Sequence, residues 1–135
     1  MYKLLIVEDE EIIRYGIINS IKWNELGYEI IGQVSNGKEG LAFVRDNKPD
    51  VILTDVRMPV MDGYEATARM RLLQRPDAKT IPIIAMTADA FDEDIQNCLE
   101  SGMNAHISKP INPEILKKTL LKWIRCTDLT SKNPE

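Results

Sequence analysis

The stretch Lys48-Pro49-Asp50-Val51-Ile52-Leu53-Thr54-Asp55 decides the fold. Lys48-Pro49-Asp50 stops any preceding helix, because proline donates no N–H and restrains the residue before it. Val51 to Thr54 then runs apolar and β-prone without alternation, as a strand buried on both faces does. The run ends abruptly on an acid, Asp55. Working back, Lys38 to Asn47 reads as a helix, Asn36-Gly37 as a turn and Tyr28 to Val34 as a strand. Trp23 to Gly27 is a connector. Glu10 to Lys22 is a helix with Ile13, Ile17 and Ile21 on one stripe, and Lys3 to Val7 is another apolar strand.

Working forward, Asp62-Gly63 opens a helix that runs to about Leu73, and Gln74 to Thr80 is a polar loop containing Pro76. Ile81 to Met86 is the next strand. Ala90 to Gly102 is a helix with Ile95, Cys98 and Leu99 aligned and Gly102 as its C-cap. Ala105 to Ser108 is a short strand. Pro113 to Arg125 is the last helix, with Leu116, Leu120 and Trp123 at helical spacing. The pattern divides the chain into one domain over 1–126 and a polar tail over 127–135. Five successive strand–helix units imply a parallel sheet covered by helices on both faces.

Composition narrows the function. The 135 residues carry 17 basic and 21 acidic side chains, a net charge of −4, which disfavours nucleic acid as a direct partner. No apolar run approaches the roughly 20 residues of a membrane span, and the N-terminus is too short and acidic for a signal peptide. Cys98 and Cys126 show no metal-ligand spacing; Cys98 reads as a buried free thiol, which fits a cytoplasmic location.

The chemistry lies in the residues just past the strand ends. After the first strand come Glu8-Asp9-Glu10-Glu11, after the third Asp55, after the fourth Thr87-Ala88 and after the fifth Lys109-Pro110. In a parallel sheet these positions share the carboxyl edge, where ligand sites of open α/β sheets form. Clustered carboxylates need a cation, and an oxygen-lined site with room for water suits Mg²⁺. A carboxylate can then attack phosphorus, with Lys109 and Thr87 as donors to the phosphoryl oxygens. Simpler explanations cover single residues. Glu10 and Glu11 favour a helix N-terminus, Thr87 alone could be a cap, and Lys109 alone could be a surface lysine. An acid directly after a buried strand is harder to explain, and four such residues at four strand ends are harder still.

These stretches carry a resemblance. Leu4-Leu5-Ile6-Val7-Glu8-Asp9-Glu10, Pro49 to Pro59, Met61-Asp62-Gly63, Pro82 to Ala88 and Lys109-Pro110 resemble, in order and spacing, the receiver domains of two-component response regulators. The resemblance implies a flavodoxin-like fold of strand order 2-1-3-4-5 and phosphorylation at Asp55. It implies Mg²⁺ held by Asp9, Asp55 and the Arg57 carbonyl, with Glu8 acting through water where the family more often has Asp. Thr87 would be the switch hydroxyl and Lys109 the phosphate's ion-pair partner, with a cis Lys109-Pro110 bond. The family's aromatic switch position holds His106, which reads as part of an output surface rather than a pH sensor. Ala88 and Asp89 occupy switch and tuning positions, and Arg57 and Asp89 would approach across the cleft and slow hydrolysis.

The same resemblance implies a histidine kinase or histidine phosphotransfer protein as donor. A downstream protein would be read through the face of the fourth helix, fifth strand and fifth helix, with the chain a monomer or weak dimer. Up to Gly63 the chain resembles receivers of helix-turn-helix regulators, and from Tyr64 on receivers of hybrid histidine kinases. A mosaic, natural or engineered, gives that pattern. If the chain is complete, output is protein binding or phosphorelay. Rival readings are a receiver-shaped scaffold without signalling, a Mg²⁺-dependent phosphohydrolase with an aspartate nucleophile, and an FMN binder. Arg57 stands where the hydrolase needs a second acid. Four acids after the first strand would repel an FMN phosphate.

Overall fold

A computed structural model describes residues 1–88 and 92–131. Five strands, β1 (Tyr2–Val7), β2 (Tyr28–Val34), β3 (Val51–Asp55), β4 (Ile83–Thr87) and β5 (Ala105–Ser108), form one parallel sheet of order β2-β1-β3-β4-β5. The helices between and after them are α1 (Glu11–Ser20), α2 (Gly37–Asp46), α3 (Gly63–Arg71), α4 (Asp92–Ser101) and α5 (Pro113–Ser131). This is the expected flavodoxin-like architecture.

Strand alternation sorts the core into two layers. Leu4 and Ile6, Val51 and Leu53, and Ile84 and Met86 pack with Ile17 of α1 and with Leu116, Leu120 and Ile124 of α5. Leu5 and Val7, Ile52, and Ile83 and Ala85 point the other way, to Leu41 and Val44 of α2, Ala66 and Met70 of α3 and Cys98 of α4. Each fully buried valine, leucine, isoleucine or methionine among them contributes about 1.5–3 kcal/mol. Local capping sets where helices begin. Asn36 Oδ1 accepts the Glu39 N–H at 2.9 Å and Asp62 Oδ1 the Glu65 N–H at 2.8 Å, so the two turn signals are also N-caps.

Several boundaries differ from the sequence reading. β4 starts at Ile83, because Pro82 has no N–H for the ladder, although its carbonyl still accepts from Ile52 at 2.9 Å. The loop over 74–80 contains a 3₁₀ turn, Pro76–Lys79. Helix α5 continues to Ser131, past the expected end at Arg125. Leu99 does not join the apolar stripe of α4: it is 55% exposed, because the helix buries Cys98 and turns Leu99 outward. Gly102 does cap α4, at φ +107°, with the Met103 N–H donating back to the Cys98 carbonyl at 3.0 Å.

The loop between β3 and α3 holds a strained residue. Val60 has φ +70°, and the Met61 N–H donates to the Pro59 carbonyl at 2.7 Å, a γ-turn of the rare positive-φ kind. A β-branched residue is poorly suited to that region, and 76% exposure leaves Val60 little packing to lose. Val60→Gly is therefore expected to stabilise the protein by about 1 kcal/mol, relief of strain outweighing the added entropy of the unfolded chain. Urea unfolding measures it; a lower midpoint would show that the turn is not strained.

Candidate functional site

Register brings the site together. Val7 pairs with Thr54, so the next residues, Glu8 and Asp55, lie side by side at the carboxyl edge of the sheet. Asp55 pairs with Met86 and Thr87 with Ser108, which sets Thr87 and Lys109 on the other flank. The Lys109 N–H donates to the Thr87 carbonyl at 2.7 Å, and the Glu8 N–H to the Val34 carbonyl at 3.0 Å. Backbone hydrogen bonds thus hold all four residues at one edge.

Within the cleft, Lys109 Nζ lies 2.8 Å from Glu8 Oε1 and 3.3 Å from Asp55 Oδ2. Carboxylate oxygens of Glu8, Asp9 and Asp55 all lie within 4.8 Å of one another. Glu8 is fully buried, Asp55 is 5% exposed and Asp9 is half-buried at the mouth. Burial pushes the Glu8 carboxyl up to about 7, helped by the charge of Asp55 and opposed by the hydrogen bond to Lys109. Asp55 is also raised, first by burial, with Lys109 pulling it back. Burial alone would lower Lys109, but its hydrogen bonds and charge contacts with Glu8 and Asp55 outweigh it, and the ammonium is held more firmly protonated.

Three crowded acids served by one ammonium leave negative charge uncompensated. The donor set is all oxygen, and Asp9 at the mouth gives access, so the residues fit a hard divalent cation such as Mg²⁺. Thr87 is 1% exposed, and its hydroxyl has no hydrogen-bond partner among the described residues. A buried hydroxyl in that state suits an incoming acceptor oxygen.

A family model for the response regulator receiver domain matches residues 4–121. The chain belongs to that family. Receiver domains are signalling modules rather than conventional enzymes, and they work with histidine kinases or phosphotransfer proteins and downstream effectors. Among relatives, the sensor histidine kinase RcsC of Salmonella typhimurium is 38% identical over 117 residues, 87% of this chain. The matched stretch is only 12% of that kinase, so this receiver spans a small part of that relative's length. The receiver domain of sensor histidine kinase PA1611 from Pseudomonas aeruginosa PAO1 is 35% identical, with a TM-score of 0.79 and coverage of 91% of this chain and 97% of that one. That structure has a magnesium ion coordinated in its active-site cleft. The chemotaxis response regulator CheY4 of Vibrio cholerae is 34% identical, with a TM-score of 0.81 and coverage of 91% and 98%.

Arg57 is exposed, two residues beyond Asp55. Ala88 is exposed and lines an apolar groove of about 530 Å³ with Ile13, Ile17, Ile21, Pro110 and Ile111. His106 is half-buried on the edge strand β5, in a shallow groove with Ser108, Asn112 and Ile115. Asp89 lies outside the described residues. The Lys109–Pro110 peptide is cis, as the resemblance implied. Among the described residues, no helix is long and apolar enough to cross a membrane.

Sequence reading passed over Arg14. Its guanidinium reaches from α1 to the Glu8 carbonyl at 2.7 Å and to Gln33 Oε1 at 3.2 Å, holding the acidic turn against β2. Its position on the first turns of α1, six residues after Glu8, is the signal that could have found it.

Proposed function

We propose that this receiver accepts a phosphoryl group on Asp55 from the phosphohistidine of a kinase or phosphotransfer protein. The observation that carries the reading is Asp55 Oδ2, set 3.3 Å from Lys109 beside the carboxylates of Glu8 and Asp9. Asp9, Asp55 and the Arg57 carbonyl would hold Mg²⁺, with Glu8 acting through water; the ion supplies charge neutralisation for the phosphoryl oxygens. Asp55 contributes the lone pair that forms the new O–P bond. The donor's N–P bond breaks, and its imidazole nitrogen recovers that pair and takes a proton from solvent. Lys109 turns from the carboxylates to a phosphoryl oxygen, and the Thr87 hydroxyl donates to another. Those two movements shift the segment after β4, and the face of α4, β5 and α5, including His106, changes its preference for a downstream protein.

In this reading Asp89 and Ala88 tune the switch, and Arg57 together with Asp89 slows attack by water on the phosphoryl group. Arg57→Ala is expected to speed loss of the phosphoryl group severalfold, as followed by the decay of the phosphorylated mass. The module acts in the cytoplasm as a monomer or weak dimer through residues 1–126.

The function is tested by intact mass after incubation with a small acyl phosphate, with Mg²⁺ and with EDTA. One metal-dependent phosphoryl adduct is expected, labile to hydroxylamine and mapping to the peptide that contains Asp55. An adduct on another residue, or one that forms equally in EDTA, would overturn the assignment.

A further inference from the structure

The Asp55 carboxylate is hydrogen-bonded to the peptide on its carboxyl side, and both Thr54 and Gly63 contact that peptide. Thr54 is 3% exposed, and its hydroxyl donates to the Asp55 carbonyl oxygen at 2.9 Å. A Cβ placed on Gly63 would run into that same oxygen and lie 3.0 Å from Val56 Cα. Only glycine admits so close an approach of the α3 N-terminus to the strand end. The Gly63 N–H donates to the Val56 carbonyl at 2.9 Å, and the Val56 N–H donates to Asp55 Oδ1 at 2.8 Å. One carboxylate oxygen is therefore tied to a peptide that cannot turn. The other, Oδ2, is left facing Lys109.

We propose that Thr54 and Gly63 are positioning residues for phosphoryl acceptance: they lock the Asp55–Val56 peptide so that Oδ2 presents itself to the incoming phosphorus. The proposal rests on Asp55 being the acceptor. Neither residue touches the phosphoryl group. In-line attack depends on the starting orientation of the nucleophile, and a small misplacement lowers the rate steeply. The strand itself does not require a hydroxyl here. Val51-Ile52-Leu53 precede it, and valine would fill the same buried place without a polar group to satisfy. The hydroxyl is accounted for by the oxygen it holds.

The test compares wild type, Thr54→Val and Thr54→Ser, each checked for a native thermal transition. Phosphorylation by a small acyl phosphate is followed by intact mass at saturating Mg²⁺, and Mg²⁺ affinity is measured separately by calorimetry. Thr54→Val is expected to lower the rate constant about tenfold while its Mg²⁺ dissociation constant stays within about twofold of wild type. Thr54→Ser, which keeps the hydroxyl, is expected to restore the rate. Gly63→Ala, where it folds, is expected to show the same loss of rate. A Thr54→Val protein that reacts as fast as wild type, even with a lowered melting temperature, would overturn the proposal, as would a Thr54→Ser protein as slow as the valine variant. A wild type that takes up no phosphoryl group would instead remove the acceptor reading beneath it, so the two failures are distinguishable.

Discussion

Asp55→Asn is expected to take up no phosphoryl group and yet, without divalent metal, to be more stable than wild type. The loss of function is complete, because the amide has no free charge with which to attack phosphorus. The gain in stability comes from charge crowding. Asp55 and Glu8 both have folded pKa values above their ordinary ones, Glu8 at about 7. The folded protein thus holds protons that the unfolded chain has released. Their contribution to stability is full at low pH and is lost as pH rises through the ordinary carboxylate range to about 7. Above that window the folded state carries an uncompensated charge, and the amide removes it. The expected gain is of order 1–3 kcal/mol in EDTA at about pH 8, vanishing toward about pH 3. Mg²⁺ should stabilise wild type, by about 2.7 kcal/mol at a hundred times its dissociation constant, and the variant much less. Urea unfolding at both pH values, with and without Mg²⁺, measures all of this. A variant less stable than wild type in EDTA at the higher pH would show that the carboxylates are not in conflict.

Lys109→Ala is expected to fail in both respects. Its Nζ contacts the fully buried Glu8 at 2.8 Å and Asp55 at 3.3 Å, so truncation strands two desolvated acids. Removing one partner of such a buried pair costs about 3–5 kcal/mol. Lys109 has a raised folded pKa, so its own contribution is present throughout the neutral range and is lost only as pH rises through that raised value. The pH dependence of the variant comes instead from the acids. The loss should be greatest above about pH 7 and shrink as pH falls below the ordinary carboxylate range, to about pH 3, where Glu8 and Asp55 are protonated in both states. Mg²⁺ should recover part of it. Phosphorylation at saturating Mg²⁺ should fall by about 10²–10³-fold, the usual effect of removing a donor from developing charge on phosphoryl oxygens. Combined denaturation and intact-mass kinetics check the two effects. A variant that keeps wild-type stability at about pH 8 would mean that the acids are solvated rather than paired.

These expectations draw on residues that were legible to different degrees. Asp55, Thr87 and Lys109 stood out because each interrupts or directly follows an apolar strand with a group that needs a partner. Glu8 and Asp9 stood out for the same reason, and Gly102 because a helix must end in a conformation glycine tolerates. Leu99 misled, since helical spacing names two neighbouring positions and only packing chooses which of them is buried. Arg71 drew no attention at all. In the fold its guanidinium donates to the carbonyls of Gly102, Ala78 and Ile81 and to Asn104 Oδ1, tying α3 to segments up to 33 residues away.

Sequence alone determined the order of elements, the parallel sheet and the edge on which the chemistry gathers. Each of these arises from local periodicity and from the residue types that close a strand. Only the tertiary structure decided that Lys109 is shared between Glu8 and Asp55, that Arg14 holds the acidic turn, and that Gly63 presses on the carbonyl of the nucleophile. Lys109 meets acids far from it in the chain, while Arg14 and Gly63 reach back across a turn and a short loop. Their ångström-scale geometry depends on how the sheet twists and the helices seat, which no local pattern encodes.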